Sequence, residues 1–156
     1  MRALAGLLLA ALLLGAAAPE PAAGPAPAPG QRFAPVDVFV DAGEERLAAW
    51  QLEITYDGGK VQVLSLEGGE PQGFREAPWY DPAGMTGGRM VIAAFVSDDA
   101  QAPAGRNRVA RLHLRMEKTG SPLPAAKLVT AAKPGGERIG AKVQLVLAGG
   151  KEEDRR

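Results

Sequence analysis

The chain has 156 residues, no cysteine, one histidine, and 18 acidic against 18 basic side chains, for a formal net charge of zero. Without thiols there is no disulfide framework, thiolate zinc site or cysteine nucleophile. Without a basic surplus there is no field to draw nucleic acid or an anionic membrane.

In chain order, Met1-Arg2 leads into an apolar run of Ala, Leu and Gly that ends at Ala16-Ala17-Ala18. One positive charge, an apolar centre and a small-residue end read as a secretory signal peptide over residues 1–18. Its leucine-rich centre is short for a bilayer core of ~30 Å, so no membrane span is expected after cleavage. The mature protein is expected outside the cytoplasm: secreted, periplasmic or on the cell surface. Residues 19–35, PEPAAGPAPAPGQRFAP, hold six prolines and read as a stiff, extended linker. Residues 149–156 carry three positive and three negative charges with nothing apolar, a tail expected to be solvated. Residues 36–148 remain as one domain able to bury its own core.

Within that domain glycine and proline interrupt the chain about every ten residues, and alternation dominates between the breaks. In PVDVFVDAG, Val36, Val38 and Val40 share a face. In LAAWQLEITYDGG, Trp50, Leu52, Ile54 and Tyr56 face inward, while Gln51, Glu53 and Thr55 face water. Asp57-Gly58-Gly59 supplies the turn. KVQVLSLEGG is a further strand with an irregularity at Val63-Leu64. RMVIAAFVS is apolar on both faces, as a central strand would be. RVARLHLRME places Ala110, Leu112, Leu114 and Met116 inward, and Val109, Arg111, His113, Arg115 and Glu117 outward. AKLVTAA and AKVQLVLA close the domain, the latter with Val143, Leu145 and Leu147 on one face. Seven or more short strands without amphipathic helices predict an all-β fold, an antiparallel β-sandwich.

The succession VDVFVDAG, AAWQLEITYDGGKVQVLSLEGG, GGRMVIAAFVSDD and RNRVARLHLRM resembles the cohesin-like domains of bacterial extracellular proteins, from about Val36 to Leu147. The resemblance rests on the strand end at Tyr56-Asp57, the strand through Val61, Val63 and Leu64, the Gly88-led strand reaching Phe95, and the pattern after Gly105. It implies a jelly-roll sandwich related to carbohydrate-binding modules. It also implies a non-catalytic role, since cohesins bind a small calcium-loaded partner, the dockerin, through one sheet face. The expectation is an exported binding or adhesion module with a dockerin-like protein or a polysaccharide as partner. A structural domain of the cell envelope is the alternative.

His113 is the one histidine, and Ser65, Ser97 and Ser121 lie in no G-x-S-x-G turn, so no hydrolase triad is expected. Glu67, Glu70, Glu76 and Asp81 show no spacing that selects a glycosidase pair. Ser97-Asp98-Asp99 lacks the spacing of a calcium loop and reads as a strand-ending turn. No cofactor and no metal are expected. Arg111, His113 and Arg115 form either a partner-binding face or a solvated one. Trp79, Tyr80 and Asp81, in the turn-rich segment APWYDPAGMTGG, are candidate ligand-binding residues, the alternative being a loop that folds back to plug the core. On extended backbone the two rings point to opposite sides. Trp79, the larger and more apolar, is expected to cover the end of the sandwich, and Tyr80 to be the exposed ring.

Overall fold

The computed structural model describes residues 28–149. The expected signal peptide and all of the charged tail after Gly149 lie outside the described residues. Alternation decides the interior. In β1 (Gln31–Arg46), Ala34, Val36, Val38, Val40 and Ala42 are all buried. In β2 (Ala49–Thr55), Trp50, Leu52 and Ile54 are buried as expected, and Tyr56 just beyond packs on the core from its edge. The remaining strands are β3 (Val61–Gly68), β4 (Trp79–Tyr80), β5 (Arg89–Phe95), β6 (Ala104–Glu117), β7 (Ala125–Ala132) and β8 (Lys142–Leu147). They form two four-stranded sheets, ordered β3-β6-β1-β8 and β4-β5-β2-β7, in which every paired neighbour is antiparallel. This is the antiparallel sandwich that the alternation predicts.

Three short 3-10 turns sit in the connections, at Gln72–Phe74, Pro82–Met85 and Asp99–Gln101. The irregularity expected at Val63-Leu64 is a register shift between Val63 and Ser65. It turns Leu64 out to 40% exposure while Val63 and Leu66 stay buried. The inward row of β6 is likewise as read, with Ala110, Leu112, Leu114 and Met116 buried.

The structure corrects three expectations. First, β1 begins at Gln31, inside the segment read as linker, because its first residues pair with the end of β6, Gln31 opposite Glu117 and Phe33 opposite Arg115. Proline need not end an edge pairing, and Pro35 uses its carbonyl to accept the Ala148 N–H. Second, Val109 is fully buried, not outward. It is the extra residue of a bulge between Val38/Ala110 and Phe39/Arg108, and a bulge re-aims the side chains around it. Gly69, whose Cα could carry no methyl without striking Arg108 O, covers Val109 from outside.

Third, β5 is not buried on both faces. Met90 and Ile92 are buried, but Val91 and Ala93 are half-buried and Phe95 is exposed. Val91, Ala93 and Phe95 point to the outer side of the sheet, away from the core, and the short β4 flanks β5 only at Ala93 and Ile92. The apolar outer face of β5 is therefore left partly open.

Candidate ligand-binding face

The two sheets present two outer faces, and the sequence candidates divide between them. Arg111, His113 and Arg115 lie on the β3-β6-β1-β8 face. There Arg111 makes a bidentate pair with Asp37, Nε to Oδ1 at 2.6 Å and Nη2 to Oδ2 at 3.2 Å. Asp37 also raises the Arg111 guanidinium above its usual pKa, chiefly by that hydrogen bond. Arg108 lies 3.1 Å from Glu70 and 3.8 Å from the same Asp37. His113 Nε2 stands 2.9 Å from Glu67 Oε1, off the line of a hydrogen bond. Arg115 donates to Gln62, and Arg106 lies over the Phe39 ring at 3.7 Å while donating to Gln144. Neighbouring side chains thus already engage the arginines of this face.

Asp98 and Asp81 are each held by their own backbone. Asp98 accepts the Ala100 N–H at 2.9 Å and so caps the turn Asp99–Gln101. That is the strand-ending turn read from the sequence. Asp81 accepts the Ala83 N–H at 3.0 Å and caps Pro82–Met85. Among the described residues no three acidic or histidine side chains come together as they would to hold a metal ion.

The other face, β4-β5-β2-β7, is open. Trp79 pairs with Ala93 and Tyr80 with Ile92. Because Ile92 points into the core, Tyr80 opposite it points the same way and packs on the core cluster. Trp79 points outward and is 67% exposed. The expected assignment of the two rings is therefore reversed. The register with β5 decides it, overriding the size and polarity of the rings. The end of the sandwich is covered instead by Phe74, 2% exposed, whose ring meets Trp50 edge-to-face at 6.1 Å.

Phe74 reaches that position because the segment 68–78 folds tightly back on the sandwich. A Cβ on Gly68 would strike Arg75 O, and one on Gly73 would strike the Val96 side chain. The returning segment forms one wall of a groove of about 740 Å³, and the outer faces of β2 and β5 form the other. Its apolar surface comes from Trp79, Pro78, Ala93 and Phe95, with Phe95 74% exposed. Its polar rim comes from Gln51, Gln72, Arg75, Glu76, Gln101 and Thr130. Of the sequence candidates only Trp79 lines it; Tyr80, Asp81, Arg111, His113 and Arg115 do not. Phe95 was legible as apolar but not as exposed, since nothing in the sequence shows that β4 spans only two residues.

No family model matches this sequence, and neither does any curated protein. Solved structures do. CaCohA2 of Clostridium acetobutylicum, in complex with CaDoc0917, superposes with a TM-score of 0.58 at 14% identity, over 72% of this chain and 84% of that one. A type I cohesin–dockerin complex from Clostridium thermocellum gives 0.57 at 14% identity, over 72% and 83%. A non-cellulosomal cohesin from the archaeon Archaeoglobus fulgidus gives 0.52 at 13% identity, over 72% and 75%. The fold is that of a cohesin domain. Within this cohesin-like fold, one outer sheet face is cross-linked by its own charges and the other carries the groove.

Proposed function

We propose that the protein is an exported, non-catalytic binding module that docks a dockerin-like protein on its β4-β5-β2-β7 face. The observation that carries this reading is the contrast between the two faces. The charged face has its arginines engaged by neighbouring carboxylates and amides, whereas the groove face carries the two most exposed large apolar side chains of the described residues, Trp79 and Phe95. Aromatic side chains concentrate binding energy at protein contacts, and contiguous exposed apolar surface marks interaction sites. The cohesin-like fold supports the partner class, since two of the similar structures are complexes with named or evident dockerin partners. The signal-like residues 1–18 support export.

The test is capture of secreted proteins of the host by the immobilised protein, with and without calcium. A calcium-dependent partner held by the native protein and by Arg115→Ala, but lost on joint replacement of Trp79 and Phe95 by alanine, is the expected result. A partner lost instead on Arg115→Ala would place the contact on the wrong face. Absence of any partner would leave a structural envelope domain as the better reading. Fractionation checks export: a cytoplasmic pool retaining residues 1–18 would contradict it.

A further inference from the structure

The groove is polar in a particular way. The side chains of Gln51, Gln72, Arg75 and Thr130 line it without a hydrogen-bond partner among the described residues, while Arg108, Arg111 and Arg115 on the opposite face all have one. Its charged lining is one cation and one anion, the adjacent Arg75 and Glu76. Charge complementarity therefore selects an uncharged occupant, since rim charges steer choice of partner.

The apolar part is equally specific. Trp79 stands opposite Ala93, and Phe95 is two residues farther along the same face of β5. Diagonal neighbours of this kind are roughly 7–8 Å apart. Both rings are exposed, so they offer two flat apolar platforms side by side.

We infer that this groove binds an extended, uncharged glycan strand. The inference rests on the reading of this face as the contact surface and gives its groove a second ligand, which would compete with a protein partner for Trp79 and Phe95. A sugar ring has an apolar C–H face, which suits an aromatic platform, and an equatorial belt of hydroxyls that both donate and accept. The primary amides of Gln51 and Gln72 also donate and accept, and the Thr130 hydroxyl does the same. A peptide strand added to β5 beside the groove fits less well, because β4 already pairs with Ala93 and Ile92 there and strand addition needs a free edge.

The experiment titrates the full-length protein with neutral oligosaccharides (β-1,4-glucan, β-1,3-glucan, xylan and mannan) and with polygalacturonate, by calorimetry and tryptophan fluorescence. At least one neutral glycan should bind and shift emission to the blue, because Trp79 is the exposed indole of the two. Polygalacturonate should bind at least about tenfold more weakly, because its many carboxylates would meet a single cation, Arg75, with the anion Glu76 beside it. Trp79→Ala and Phe95→Ala should each weaken binding at least about tenfold, the size of loss typical of a central aromatic contact. Arg115→Ala should bind like the native protein. Equal binding of polygalacturonate, or full binding by Trp79→Ala with an unchanged melting temperature, would overturn the inference. If no neutral glycan binds while protein capture still depends on Trp79 and Phe95, the glycan inference falls and the protein-partner reading stands. If both assays are silent, both fall.

Discussion

Phe74 meets Trp50 edge-to-face, with ring centroids 6.1 Å apart and ring planes at 63°. This contact joins a loop residue to the second strand and closes one end of the core, where both rings are at most 2% exposed. Removing either large aromatic should cost ~3 to ~5 kcal/mol, the usual range for emptying such a site. A double-mutant cycle on Phe74→Ala and Trp50→Ala in a urea series should show coupling of ~0.5 to ~1.5 kcal/mol, as aromatic pairs do. Strict additivity would show that the loop does not depend on this contact for its position.

The register of β4 separates its two rings in the same terms. Tyr80 packs on the core and Trp79 stands in solvent. Trp79→Ala should change stability by no more than ~0.5 kcal/mol, like most exposed substitutions. Tyr80→Ala should cost about 1–3 kcal/mol, as the loss of a partly buried large side chain does. Thermal melts of the two variants check this directly; a larger loss at Trp79 would mean that β4 pairs with β5 one residue out of register.

These two pairs also show how far the sequence could be read. The inward rows of β1, β2 and β6 were legible because period-2 alternation over six or more residues admits one orientation. The bulge at Leu64 left a mark too, as a break in alternation. The bulge at Val109 left none, since ARLHLRM alternates smoothly and only the pairing register, which skips Val109 between Arg108 and Ala110, reveals the extra residue. The groove was the least legible feature. It depends on β4 being two residues long and on segment 68–78 returning to the sheet, neither of which composition or spacing encodes. Trp79 stood out in the sequence for its turn-rich neighbourhood, which does not reveal the strand pairing that turns it outward.

On the opposite face, Asp37 is the hub. Its side chain is 14% exposed and takes both Arg111 and, more distantly, Arg108. Asp37→Ala leaves two guanidinium groups without that acceptor and should cost ~1.5 to ~3 kcal/mol, the range for a hydrogen bond to a charged group. Arg115→Ala, on an exposed residue paired only with Gln62, should cost no more than ~0.5 kcal/mol. Urea unfolding of both variants at low and high salt checks the ranking. Equal losses would mean that the face is a set of independent, solvated pairs.

Tyr56 gives the fold an alkaline limit. Its hydroxyl donates to Gly84 O and ties the end of β2 to the turn Pro82–Met85. Burial pushes its pKa above the ordinary value of 10.0, partly offset by a hydrogen bond from the Gly88 backbone. The folded state therefore holds this proton at a pH where the unfolded chain has released it. With fewer protons on the unfolded side, stability falls as pH rises. The contribution is complete below about pH 10, the tyrosine value in an unfolded chain, and is lost as pH climbs through the higher folded value. Tyr56→Phe should cost ~0.5 to ~1.5 kcal/mol near neutrality through the lost hydrogen bond. In return its stability should fall less steeply than that of the native protein above about pH 10, because the group that ionises is gone. Urea midpoints from about pH 7 to about pH 11 measure both effects. Parallel curves for the two proteins across that alkaline range would show that Tyr56 is as free to ionise in the fold as in the unfolded chain.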